Sequence, residues 1–296
     1  MSALSGRVGK LFASVLVLAV AGGIGAGAYF AGRPSSPLET SGPVADDGTP
    51  TCDVEDPPLR RDGAITFATD LPGRLPWFSR DVTSGEGFEG ALAYEVAAGL
   101  GINRDAVEWT DVAFWDAFAP GEKRFDIFLG RALARPERET EADLSEGYYQ
   151  VDQAILAKGD GPVGGATSLT DLRPFRLGAL VGRSGLRVID TVIRPKERPF
   201  AFQGPEQGLA AIQSGEVDAL FLDLTMARWA ESVHPDLETV GRVVTGDEYA
   251  LVMPAGSSLV RCVNAVLDRL RENGTLQALE DRWLLSREDV PLLPLG

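Results

Sequence analysis

Short β-rich runs alternate with helical patterns along most of this chain, and that alternation confines it to an α/β architecture with a largely parallel sheet. The runs AITFAT, FDIFLG, QAILAK, FRLGALVG, VDALFLD and YALVMP are separated by segments such as GALAYEVAAGLG and GLAAIQSG. Gly101 and Gly274 stand just past helical patterns, where a left-handed cap favours glycine. Ser257 or Ser258 begins the last long helix, and Val260, Val263, Leu267 and Leu270 recur along it at the spacing of one buried face. About 230 ordered residues suffice for one large domain or for two α/β lobes.

Charge and residue counts remove several functions. The 296 residues carry 28 Lys and Arg against 43 Asp and Glu, a net charge of -15 that would repel a polyphosphate, so no nucleic-acid partner is expected. One histidine and two cysteines are too few for a zinc site or for most histidine-based triads. Neither a metal nor a cofactor is expected.

The first 32 residues read as an export signal or a membrane anchor. Arg7 and Lys10 precede an uncharged run from Leu11 to Ala31, which contains Ala26-Gly27-Ala28 of signal-peptidase type and is about long enough to span a bilayer. Both fates fit, and both place the remainder outside the cytoplasm, in the periplasm or at the cell surface. Residues 33–59 are rich in Pro, Ser, Asp and Gly and read as a disordered tether. Cys52 lies too far beyond the apolar run to be a lipoprotein acylation site.

Three motifs fail on inspection. Gly85-Glu86-Gly87-Phe88-Glu89-Gly90 matches a dinucleotide fingerprint, but a polar stretch precedes it and Glu86 and Glu89 would face the pyrophosphate. Gly182-Arg183-Ser184-Gly185 is neither a Walker loop nor a nucleophile elbow. His234 beside Pro235 reads as a surface loop residue rather than a general base.

Several segments, read in order, resemble the bacterial extracellular solute-binding proteins of polar amino-acid ABC transporters. Gly87-Phe88-Glu89 is similar to that family's Gly-Phe-Asp helix start, and Phe125-Asp126-Ile127 followed by Arg135-Pro136-Glu137-Arg138 to its strand and Thr-Pro-Glu-Arg turn. Leu144 to Tyr149 resembles Phe-Ser-x-x-Tyr-Tyr, and Ser168 to Leu172 resembles Ser-Leu-x-Asp-Leu. Gly178 to Gly185 resembles a strand with its Gly-Thr-Thr-Gly loop, and Ser214 to Ala219 with Asp223 resembles Ser-Gly-x-Val-Asp-Ala and its aspartate. Asn273 to Leu276 with Trp283 resembles the terminal Asn-Gly-Thr-Leu and its tryptophan.

The resemblance implies a type II periplasmic-binding fold, two α/β lobes each with a mixed sheet flanked by helices, joined by two crossover strands. The first lobe would take residues 60–154, the second residues 155–244, and residues 245–296 would return to the first. A buried zwitterion needs a cation for its carboxylate and an anion for its ammonium. Arg138 stands at the family's carboxylate-binding arginine, Asp223 at its ammonium-binding aspartate, and the backbone around Arg183 and Ser184 at its anion-holding loop. Trp77, Phe78, Phe114 and Trp115 stand near the aromatic platform, with core packing the alternative for Phe114. Where the family has Gly, Thr and Thr, this chain has Arg131, Leu133 and Arg135, which points toward a second negative charge on the ligand. The late helix that carries Cys262 returns in this fold to the first lobe, so Cys52 and Cys262 are either a disulfide or two independent thiols.

The function so implied is capture of a small polar solute, an amino acid or related anion, by a monomer that delivers it to an ABC permease without catalysis. The alternatives are a membrane-anchored sensing or accessory binding module, and a cyclohexadienyl-dehydratase-like enzyme with Glu146 or Asp223 as its acid or base.

Overall fold

The structure, a computed structural model, describes residues 52, 56–135 and 142–296. The N-terminal apolar run and Arg138 lie outside the described residues. No helix among the described residues is long and apolar enough to cross a membrane.

Eight strands form one sheet. β1 (Ile65–Thr69) begins where the Asp126 carboxylate accepts the N–H groups of Arg60 and Thr66, each at 2.7 Å. It lies parallel to β2 (Val107–Asp111) on one side and β3 (Ile127–Leu133) on the other. Two long strands follow, β4 (Asp143–Lys158) and β8 (Leu237–Met253), paired antiparallel from Asp143 opposite Met253 to Lys158 opposite Leu237. Beyond β4 come β7 (Ala219–Asp223), β5 (Leu177–Leu180) and β6 (Phe200–Phe202), giving the order β2-β1-β3-β8-β4-β7-β5-β6. One end of the sheet belongs to the first lobe and the other end to the second; β4 and β8 run through both.

Each lobe buries apolar side chains on both sheet faces, as βαβ-like connections require. In the first lobe α1 (Phe88–Gly99), α5 (Leu259–Glu272) and α6 (Thr275–Trp283) cover one face over Phe67, Leu92, Val96, Val263 and Leu267. Phe118, Phe125, Phe128 and Val252 fill the opposite face. In the second lobe the helices are α2 (Ser184–Val188), continued by a π turn over Ile189–Ile193, α3 (Pro205–Ser214) and α4 (Leu224–Val233). A disulfide joins Cys52, ahead of β1, to Cys262 on α5, with Cα atoms 5.0 Å apart and a sequence separation of 210. Closing so long a loop restricts the unfolded chain and contributes about 2–5 kcal/mol.

Beyond α6 the chain crosses to the second lobe. Leu293 is buried there, and the N–H groups of Leu169 and Thr170 donate to the carbonyls of Pro294 and Leu295. Arg242 on β8 holds this crossing. Its Nη1 meets Asp152 on β4 at 2.8 Å, while its Nε donates to the carbonyls of Arg287 and Val290 at 3.1 and 3.2 Å.

The glycine pattern ahead of α1 serves packing. Gly87 has φ +93°, and a Cβ there would stand 2.4 Å from the Trp77 carbonyl oxygen. The N–H groups of Phe88 and Gly90 donate to the carbonyls of Pro76 and Trp77, so α1 starts directly against the Trp77 segment. Replacing Gly87 with Ala should cost about 2–3 kcal/mol, since strain in φ adds to a clash with backbone. Urea unfolding with an unchanged slope and a lowered midpoint is the expected result.

Candidate functional site

A cleft of about 480 Å³ opens between the lobes. The first lobe contributes the segment from Thr69 to Phe78, Glu89 on α1 and Arg131 on β3; the second contributes Gly182 and Arg183 after β5, Glu206 on α3 and Trp229 on α4. Trp77, itself buried, lines it as the edge of an aromatic cluster. Its ring packs edge-on against Phe88, Tyr149 and Tyr249 at 5.7, 5.7 and 5.5 Å. The Arg131 guanidinium stands over the Trp77 ring at 5.9 Å. Arg131 holds φ 57°, a left-handed conformation rare for a residue with a Cβ. Its own N–H explains the conformation, donating to Glu89 Oε1 at 2.8 Å.

Asp223 ends β7 almost fully buried, and both of its oxygens are taken. Gln153 Nε2 on β4 donates to Oδ1 at 2.6 Å. Oδ2 accepts the Tyr249 hydroxyl of β8 at 2.5 Å and faces Arg183 Nη1 at 3.2 Å. Arg183 is therefore the positive partner of Asp223 within the protein itself. Burial works against its charge, and Asp223, with Tyr249 and Glu89 behind it, more than offsets that, so its pKa lies above the ordinary arginine value. The same Nη1 donates to the Arg131 carbonyl at 3.2 Å, and Arg135 Nη2 donates to Ser184 Oγ at 2.9 Å. Both bonds run between the lobes. Ser184 is fully buried at the start of α2 and, like Asp223, is not part of the cleft wall.

Glu89 is the second buried carboxyl here. Its Oε1 accepts the Arg131 N–H and the Tyr148 hydroxyl, whereas Oε2 has no partner among the described residues. Burial raises its pKa above the ordinary value, with Arg131 and Tyr148 pulling in the opposite direction.

Arg131, Trp77 and Arg183 thus stand together at the cleft, with Asp223 and Ser184 behind its wall. Phe78 is buried beside Trp109, Phe118 lies in the core of the first lobe, and Trp115 is exposed on the cleft rim. Leu133 is buried. His234 caps the end of α4 by its backbone. Sequence reasoning passed over Glu89, Gln153 and Tyr249. The available signal was a polar residue within an otherwise apolar strand, Gln153 in VDQAILAK, and a glutamate where the similar motif has the shorter aspartate.

Asp223→Asn should destabilise the protein by about 3 kcal/mol in urea unfolding, because the buried Arg183 loses its counter-charge. A second expectation concerns pH. A carboxyl whose folded pKa is raised contributes stability fully below its ordinary value of 4.5, and that contribution is lost as pH rises through the raised value. Glu89→Gln cannot ionise, so it should gain on the wild type as pH rises above the ordinary carboxyl value of 4.5 in paired urea titrations.

Residues 65–286 match the family of bacterial extracellular solute-binding proteins, family 3. The L-cystine-binding protein TcyJ of Escherichia coli K12 is 25% identical over 232 residues, covering 74% of this chain and 82% of that protein. ABC transporter arginine-binding protein 1 of the same organism is 22% identical over 183 residues, 59% of this chain and 73% of that one. Among solved structures, an ancestral arginine-binding protein bound to arginine shares the fold with a TM-score of 0.57 at 24% identity, covering 75% of this chain and 99% of its own. With a family match that extends over most of the chain and a two-lobed sheet crossed by β4 and β8, this protein belongs to the bacterial extracellular solute-binding proteins, family 3.

Proposed function

We propose that this chain captures a small polar solute, an amino acid or related anion, in the interlobe cleft and presents it to an ABC permease, acting as a monomer and without catalysis. The observation that carries the reading is the cleft itself, walled by Arg131 from one lobe and Arg183 from the other. A solute carboxylate between them would leave water for two guanidinium groups, the donors best matched to it. Arg138 is proposed to add a third, on the resemblance of its Arg-Pro-Glu-Arg turn to the family's motif. The ligands named for the two relatives, cystine and arginine, both carry α-ammonium and α-carboxylate groups.

Closure follows from the same groups. A bound carboxylate strengthens the interlobe bonds of Arg183 to the Arg131 carbonyl and of Arg135 to Ser184, so the ligand selects the closed arrangement by its extra affinity for it. The proposed export, whether by a cleaved signal or a retained anchor in residues 1–32, would bring the chain to the outer face of the membrane where such a permease opens. Oxidation of Cys52 and Cys262 is at home in that compartment.

The test is a thermal-shift series against amino acids and dicarboxylates. At a hundredfold excess over Kd a single-site ligand adds about 2.7 kcal/mol to the folded state, a shift of several degrees. Arg131→Ala and Arg138→Ala should each abolish most of that shift while leaving the unliganded melting temperature close to the wild-type value. Retention of the full shift in both variants would overturn the assignment.

A further inference from the structure

Asp223 has the position expected of the ammonium acceptor, but the geometry leaves it little to offer. Three protein donors already surround its carboxylate, and it does not line the cleft. A ligand ammonium reaching it would have to displace Arg183, leaving a buried guanidinium unpaired at a cost of several kcal/mol. Glu89 presents the opposite case. It lines the cleft beside Trp77 and Arg131, is fully buried, and carries one carboxyl oxygen with no partner among the described residues. A buried acceptor without a donor is costly, and the cost is recovered when a ligand supplies the donor.

We infer that Glu89 Oε2, rather than Asp223, receives the positive group of the ligand in this cleft. The inference rests on the amino-acid reading above and specifies the ligand's orientation within the same site. The α-ammonium lies toward the first lobe, against Glu89 and the Trp77 edge. The carboxylate lies toward Arg131 and Arg183. Among the described residues the lining carries Asp70, Glu89 and Glu206 against Arg74, Arg131 and Arg183, so the zwitterionic α-groups of an amino acid leave that balance unchanged.

Glu89→Gln is a suitable probe because its geometry isolates Oε2. The amide oxygen can still accept from the Arg131 N–H and from Tyr148, so the bonds that set the Arg131 backbone persist. The amide nitrogen replaces Oε2 with a neutral donor, which an ammonium cannot use. Calorimetric titration of the full protein with L-arginine and L-cystine, and with the analogues of each that lack the α-amino groups, reads the pairing directly. In the wild type the amino acid should bind at least tenfold more tightly than its deaminated analogue. In Glu89→Gln that preference should vanish, through lost affinity for the amino acid and not for the analogue. If the preference survives in Glu89→Gln, whose folding is checked by its circular dichroism, the inference is overturned while solute binding stands. If the wild type binds neither amino acid, or binds each no better than its deaminated analogue, this inference is overturned, while solute capture is decided by the thermal-shift series.

Discussion

The antiparallel pairing of β4 with β8 is the constraint from which the rest of the molecule follows. Both strands are long enough to serve two lobes at once, so the sheet continues through the middle instead of stopping at a linker. Parallel strands can then be added at either end, β1, β2 and β3 on one side and β7, β5 and β6 on the other. The ends of those added strands face each other across the gap. Arg131 on β3, Arg183 after β5 and Asp223 at the end of β7 therefore converge without being near in sequence, as ligand sites in α/β sheets do at the carboxyl ends of strands.

The cleft depends on how its buried charges are settled. Arg183 and Asp223 neutralise one another, with Gln153 and Tyr249 completing the aspartate's shell. That arrangement favours a rigid wall: three protein donors already hold the Asp223 carboxylate, which stands behind the cleft lining. Arg131 is held differently, by its backbone bond to Glu89, with its guanidinium against an aromatic ring and no ion pair among the described residues. Of the two guanidinium groups, Arg131 is thus the freer to answer a ligand.

Much of the fold was legible because its motifs are backbone devices with local chemistry. Asp126 of Phe-Asp-Ile fixes the start of β1. Asp171 of Ser-Leu-Thr-Asp-Leu closes a capping box with Ser168, and Gly215 of Ser-Gly-Glu-Val-Asp-Ala takes the left-handed position that ends α3. Asp218 in that same segment pairs with Arg176 at the start of β5. Such features need only a few neighbouring residues, so they appear in the sequence as recognisable tags. The site was less legible because its pairings span 26 to 70 residues. The Arg183–Asp223 bridge and the contact of Glu89 with the Arg131 N–H are set by sheet order, and no spacing announces them. The short strands β2 and β6 escaped for a related reason: Val107 to Asp111 alternates weakly, and Phe200 to Phe202 is only three residues long.

Arg242 ties the C-terminal crossing to the central strands. Its guanidinium fastens β8 to Asp152 of β4 and to the tail beyond α6, so three passages of the chain are gathered at one point. Pulling them apart would strand Asp152, almost wholly buried, without its counter-charge. One side chain thus does for the tail what the disulfide does for Cys52: it makes a distant stretch of chain inseparable from the strands it crosses.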